Sequence, residues 1–145
     1  MATMIKTKFE RIPLDLFSQG KYELIDELYA SDYVDHTPLP GLPTTRAGVK
    51  PLVQGLRTAF PDLHYTVDDA IETGDRIVHR LTASGTMRGE FAGMPATGKY
   101  ASWKEIHIGR VTDGQIVEHW GLIDQLDMMV QLGVIPAPRR TPVIA

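Results

Sequence analysis

The chain has 145 residues, 43% of them hydrophobic, a formal net charge of −3 and no cysteine. That is enough apolar material for one compact domain with its own core. The missing cysteines exclude disulfides, thiolate metal sites and a cysteine nucleophile, and the interspersed charges contain no basic cluster of the kind that grips nucleic acid or a membrane surface.

Residues before about Lys8 read as a loose arm. Their sequence, MATMIKTKFE with the first helical residues, lacks the apolar run of a signal peptide, and no segment of the chain could span a bilayer. The cytoplasm is therefore the expected location. Phe9, Ile12, Leu16 and Phe17 recur at helical spacing, and Pro13 must either start that helix or kink it. Gly20 is the expected stop. Leu24, Ile25 and Leu28 mark a second short amphipathic helix, ending near Ala30. The segment SDYVDHTPLPGLP is too rich in proline for a helix, so a short strand at Tyr33–His36 followed by loop is expected. Thr44 or Thr45 is the expected N-cap of a third helix that buries Leu52, Val53, Leu56, Ala59 and Phe60. Pro51 fits there only if the regular part begins close to it.

After Pro61-Asp62 the apolar period changes to that of strands. Leu63, Tyr65 and Val67 alternate with His64, Thr66 and Asp68. Thr73-Gly74-Asp75 turns the chain into a second long strand, Arg76 to about Met87. GEFAGMPATGK is a loop, and its glycines have neither dinucleotide-binding nor P-loop spacing. The third long strand is Tyr100–Val111, Asp113-Gly114 is a two-residue hairpin turn, and Gln115–Ile123 is the fourth. A last helix runs from Gln125 to Leu132 and stops at Gly133, with a tail from Pro136. Helices first and antiparallel strands after them predict one α+β domain, with helices laid on the concave face of a curved sheet. Such a shape leaves a space where ligand pockets form.

The last hairpin is where ionisable groups concentrate. Simple pairing from the Asp113-Gly114 turn sets His107 opposite Trp120, Glu105 opposite Leu122 and Trp103 opposite Asp124. One face then carries Trp103, Glu105, His107, Glu118, Trp120, Leu122 and Asp124, while Ser102, Lys104, Ile106, Ile108, His119 and Ile123 take the other. Both faces are mixed, and a β-bulge would exchange the parity of part of the strand. His107 is the foremost candidate for chemistry, because imidazole titrates near neutrality and Glu105 on the same face can orient it. The alternative is a core histidine satisfied by Glu105 or a carbonyl. Asp124 stands where the strand meets the last helix, as a cap, a catalytic carboxylate or both. Asp35-His36 suggests a polar rim at a pocket mouth or a solvated loop; without clustered ligand spacing, no metal is expected. His64 and His79 read as structural. No GxSxG and no serine set beside a histidine and an acid is present.

FPDL at Phe60–Leu63, AGMPATG at Ala92–Gly98, VTDGQIVEHW at Val111–Trp120 and QLGV at Gln131–Val134, together with the order of elements, resemble the SnoaL-like polyketide (ester) cyclases of the NTF2-like superfamily. The resemblance covers nearly the whole chain from about Phe9. It implies an NTF2-like (cystatin-like) cone of sheet and helices around an apolar cavity, usually as a homodimer. It also implies an intramolecular aldol-type ring closure of a polyketide ester without metal or organic cofactor, in which a carboxylate removes an activated α-proton. By position, the family's pocket histidine matches His107, its glutamine partner falls at Glu105 and an asparagine falls at Asp35. The family's catalytic aspartate, just after the position of Trp120, is Gly121 here. Asp124 matches a later aspartate of the pattern. If His107 and position 121 both face the pocket, as the resemblance implies, the strand must carry a bulge. His119 and Ile123 would then join the pocket side and Trp120 would turn away.

These readings nominate His107, Glu105, Asp124 and Asp35 for acid/base chemistry. His36, Phe60, Phe91, Met94, Trp103, His119, Trp120 and Gly121 are the candidates for contacts to a small hydrophobic or aromatic substrate. Three functions are open: a cofactor-independent cyclase or related isomerase, dehydratase or hydrolase; a non-catalytic binder of an apolar ligand, which the glycine at 121 favours; and a dimerisation module working through its sheet.

Overall fold

The computed structural model describes residues 8–138, so the expected arm before Lys8 and the end of the expected tail lie outside the described residues. The first helix, α1, covers residues 8–19, and Pro13 neither starts nor breaks it. Proline lacks an N–H, and its ring crowds the carbonyl one turn back. The helix widens around it: Ile12–Phe17 are wound as a π-helix, the local expansion that absorbs such an interruption. Ser18 Oγ donates to the Pro13 carbonyl at 2.9 Å.

Helix α2 is Leu24–Leu28 and ends before Ala30, because Tyr29 already begins strand β1, Tyr29–Asp35. That strand is longer than the expected Tyr33–His36, and Tyr29 pairs with Ile116 of a neighbouring strand where the helix ends. A 3₁₀ turn, Arg46–Gly48, leads into α3, Val49–Ala59. Neither Thr44 nor Thr45 caps it; Gly48 occupies the cap position without a side-chain bond, and Thr45 instead bridges to Val34. Pro51 falls in the first turn, where a missing N–H costs nothing.

The strands β2 (His64–Thr73), β3 (Arg76–Thr86), β4 (Tyr100–Thr112) and β5 (Gln115–Ile123) complete a five-stranded sheet in the order β1-β5-β4-β3-β2. Strand β1 runs parallel to β5 and the remaining pairs are antiparallel. Helix α4, Gln125–Gln131, follows β5 directly, and Gly133 leaves it at φ +77°. Two apolar clusters hold helices to sheet. One joins Leu56, Phe60, Met128 and Leu132 to Leu81, Ala83 and Trp103; the other joins Phe9, Leu16, Leu28 and Val53 to Tyr33, Ile77 and Ile116.

The β4–β5 hairpin corrects the simple pairing. Asp113 and Gly114 both have positive φ, +52° and +75°, as a type I′ turn demands. Thr112 pairs with Gln115 and Val111 with Ile116, but Arg110 pairs with Glu118. Val117 is thus an extra residue, a bulge. Beyond it His107 stands opposite Gly121 rather than Trp120, and Glu105 opposite Ile123 rather than Leu122. Asp124 has no place opposite Trp103; its N–H donates to the Lys104 carbonyl at 2.9 Å.

Two glycines near α3 differ in the room around them. A Cβ at Gly55 would meet nothing within 4 Å, whereas one at Gly48 would overlap the Pro43 carbonyl oxygen. Gly55→Ala should raise stability by about 0.5–1 kcal/mol through the unfolded chain and helix propensity. Gly48→Ala should lower it by about 1–3 kcal/mol. Urea denaturation of both variants checks the pair; equal effects would contradict this packing.

Candidate active site

A cavity of about 160 Å³ lies between helices and sheet where the two clusters meet. Its wall is built by Phe9, Ile12, Val49, Leu52 and Leu56 from the helices, and by Tyr29, Tyr33, Ile77, Leu81 and Ile116 from the sheet. Strand β4 adds Glu105, His107 and Gly109, and β5 adds His119, Gly121 and Ile123. The bulge at Val117 is what turns those last three inward.

Four ionisable side chains on this wall form one continuous chain of hydrogen bonds. Glu105 is 4% exposed. Its Oε1 accepts from Trp103 Nε1 at 3.1 Å and from the Tyr65 hydroxyl at 3.3 Å. Its Oε2 meets His107 Nε2 at 3.1 Å. His107 Nδ1 lies 2.8 Å from His119 Nε2, and His119 Nδ1 lies 2.9 Å from Asp35 Oδ1. The parallel pairing of β1 with β5 sets Asp35 beside His119. A buried carboxylate is tolerable only with donors on its oxygens, and Glu105 has three.

The electrostatics follow the same geometry. Burial works to raise the Asp35 carboxyl, but the bond from His119 and those from the Thr37 N–H and hydroxyl outweigh it and hold Asp35 below the usual carboxylate range. The Tyr65 hydroxyl is pushed well above its ordinary value, first by burial and then by Glu105, so it stays a donor. Burial likewise raises the hydroxyls of Tyr29 and Tyr33.

Of the residues nominated from sequence, Glu105, His107, Asp35, His119, Gly121 and Phe91 line the cavity. The others lie elsewhere. Asp124 caps α4 by accepting the Asp127 N–H at 3.2 Å. Phe60 and Trp103 belong to the packed core, with Met94 against it. Trp120 is turned to the outer face, where His36 stacks on it at 4.8 Å between centroids and the Arg76 guanidinium lies 5.0 Å from its ring.

Three contributors were missed. His79, read as structural, lines the cavity and pairs across the ladder with His107. The regular alternation of β3, with Ile77, His79, Leu81 and Ala83 all buried, is the signal that places it. Tyr65 reaches Glu105, and Thr37 accepts the Gly121 N–H at 2.8 Å on its hydroxyl; Thr37 lies in a proline-rich loop that carries no periodicity. Among the described residues no group of His, Asp and Glu is arranged to hold a metal ion, and no helix is long and apolar enough to cross a membrane.

A SnoaL-like polyketide cyclase family model matches residues 8–132, most of the chain. The chain belongs to the SnoaL-like polyketide cyclase family. Aklanonic acid methyl ester cyclase DnrD of Streptomyces peucetius is 29% identical to this SnoaL-like chain over 123 residues, 83% of this chain and 85% of that protein. Nogalonic acid methyl ester cyclase of Streptomyces nogalater is also 29% identical, over 81% of this chain and 89% of its own. Among solved structures, TsrD of Streptomyces laurentii superposes with a TM-score of 0.85 at 27% identity, over 93% of this chain and 98% of that one. IdmH of Streptomyces antibioticus does so at 0.77 and 36% identity, over 89% and 98%. The NTF2-like architecture expected from the sequence is the one these SnoaL-like neighbours share.

The depressed Asp35 carboxyl fixes the sign of one pH effect. A carboxyl held lower in the folded than in the unfolded chain stabilises fully above its unfolded value, and that contribution is lost as pH falls through its folded one. The stability difference between this protein and Asp35→Asn should be flat above roughly pH 5 and shrink below about pH 4. Thermal unfolding across that range checks it; a gap that widens on acidification would contradict the assignment.

Proposed function

We propose that this protein closes a ring in an aromatic polyketide methyl ester by cofactor-independent acid/base chemistry, with His107 as the proton-transfer group. The observation that carries this reading is the Glu105–His107 pair on the wall of the cavity, the carboxylate buried and held by Trp103 and Tyr65. The curated relatives DnrD and the nogalonate enzyme, named as methyl ester cyclases, supply the substrate class.

The chemistry asked of the site is modest. A carbon between two carbonyls carries an acidic proton. An imidazole takes it, and the C–H electron pair delocalises into an enolate. The enolate carbon attacks a ketone of the same molecule, a C–C bond forms, and the ketone oxygen becomes an alkoxide that recovers the proton from the imidazolium. No proton is consumed overall. Glu105 stabilises the imidazolium as it forms and fixes the ring's orientation. Apolar walls at Leu52, Leu56 and Ile116 exclude water, which strengthens each of these interactions.

Replacing His107 by Gln preserves a polar side chain and removes the ability to carry a proton. With an aromatic polyketide methyl ester as substrate, kcat should fall by about 10²–10⁴-fold while far- and near-UV circular dichroism stay those of the parent. A fully active His107→Gln variant would overturn the role given to His107. Tight binding of the ester with no turnover by the parent would instead mark a ligand-binding protein.

A further inference from the structure

His107 and His119 are both fully engaged on this wall. His107 uses Nε2 on Glu105 and Nδ1 on His119; His119 uses Nε2 on His107 and Nδ1 on Asp35. An imidazole base needs a free lone pair, and neither ring offers one in this arrangement. The contact between the rings therefore decides how the site works.

An N···N separation of 2.8 Å is a hydrogen bond, and it holds one proton: two N–H groups would oppose each other, and two lone pairs would repel. The bonds to Glu105 and Asp35 hold one each. Whichever atom each proton rides on, two carboxylates and two imidazoles sharing three protons carry one net negative charge. Gly121 keeps this contact possible. A Cβ at position 121 would overlap His107 Nδ1 and lie 2.9 Å from His107 Cε1 and 3.0 Å from His119 Cε1. The Gly121 N–H is anchored by Thr37, whose own N–H and hydroxyl hold Asp35. His79, on the adjacent strand, is a further ionisable neighbour of His107 on this wall.

We propose that His107 and His119 act as one proton-storing pair, bridged at rest by a shared proton and separated by the proton taken from the substrate. This rests on the cyclase reading for its substrate and deepens it. When the substrate C–H bond breaks, its proton joins His107 Nδ1 and the electron pair stays on the enolate. The shared proton remains on His119 Nε2. Two N–H groups then face each other, so the rings part. The four groups become neutral overall, each imidazolium facing its own carboxylate, His107 on Glu105 and His119 on Asp35. Return of one proton to the alkoxide closes the bridge again. His119 and Asp35 are thereby the second half of the acid/base apparatus, and the missing side chain at 121 is what accommodates it.

The test uses the whole protein with 15N-labelled histidine. The parent should show a low-field imidazole proton resonance correlated with nitrogens of two different rings, and His119→Gln and Gly121→Ala should both lose it. In D2O, deuterium exchange at the carbon between the carbonyls of methyl benzoylacetate reports proton removal without ring closure. His119→Gln and Asp35→Asn should slow the exchange kcat at least about tenfold with KM little changed. A resonance confined to one ring, or a His119→Gln variant exchanging at the parental rate, would overturn the pair. The two-ring resonance without any protein-dependent exchange would retain the shared proton and remove the cyclase reading. Exchange that depends on His107 but not on His119 would keep the cyclase and discard the pair.

Discussion

One extra residue in strand β5 organises the whole site. From Ile116 to Glu118 the ladder to β4 slips by one position at Val117, and every side chain beyond changes sides. His119, Gly121 and Ile123 turn to the cavity, and Trp120 turns outward to stack on His36. In straight pairing, the indole would have faced His107 and His119 would not have reached it. Bulges re-aim side chains at the cost of one unpaired residue, and here that cost sets up a wall of ionisable groups. Strand β1 completes it, since its parallel pairing with β5 sets Asp35 in register with His119.

The same wall has to be stable before it can be useful. A carboxylate buried to the extent of Glu105 would be strongly unfavourable alone. Trp103, whose ring packs against Phe60 in the core, brings its indole N–H to Glu105, and Tyr65 brings its hydroxyl from β2. Glu105 thereby ties three strands together, β2 through Tyr65 and β4 through Trp103 and His107, with β5 joined through His119. Removing the carboxylate would leave donors without partners, each worth about 1–3 kcal/mol when buried. Structural and chemical demands on Glu105 are met by different oxygens: Oε1 takes the core donors and Oε2 faces His107.

Most of the architecture was legible in the sequence because it rests on periodicity. The alternation of β2 and β3, the Asp113-Gly114 turn and the apolar spacing of α3 each point to one local structure, and the family resemblance supplied the cone. What was not legible depends on tertiary partners. Nothing local to Pro13 says that a π-turn will carry a helix through it, and Thr45 looks like a cap until its backbone bridges Val34. The bulge was foreseeable only by requiring His107 and position 121 to share a face. His107, Glu105 and Asp35 could be nominated separately, yet the bonds joining them run through His119, whose side depended on the bulge. His79 is hidden for a different reason: its strand pattern is plain, but in the sequence it joins no constellation of chemical groups and so reads as structural.

The central claim is that His107 and His119 work as one unit in proton transfer. A double-mutant cycle on ring closure of an aromatic polyketide methyl ester tests it most directly, with His107→Gln, His119→Gln and the double variant compared by kcat/KM. Residues that act as a unit are strongly non-additive. The double variant should therefore be about as impaired as His107→Gln alone. Independent losses that multiply in the double variant would show two separate contributions and contradict the account.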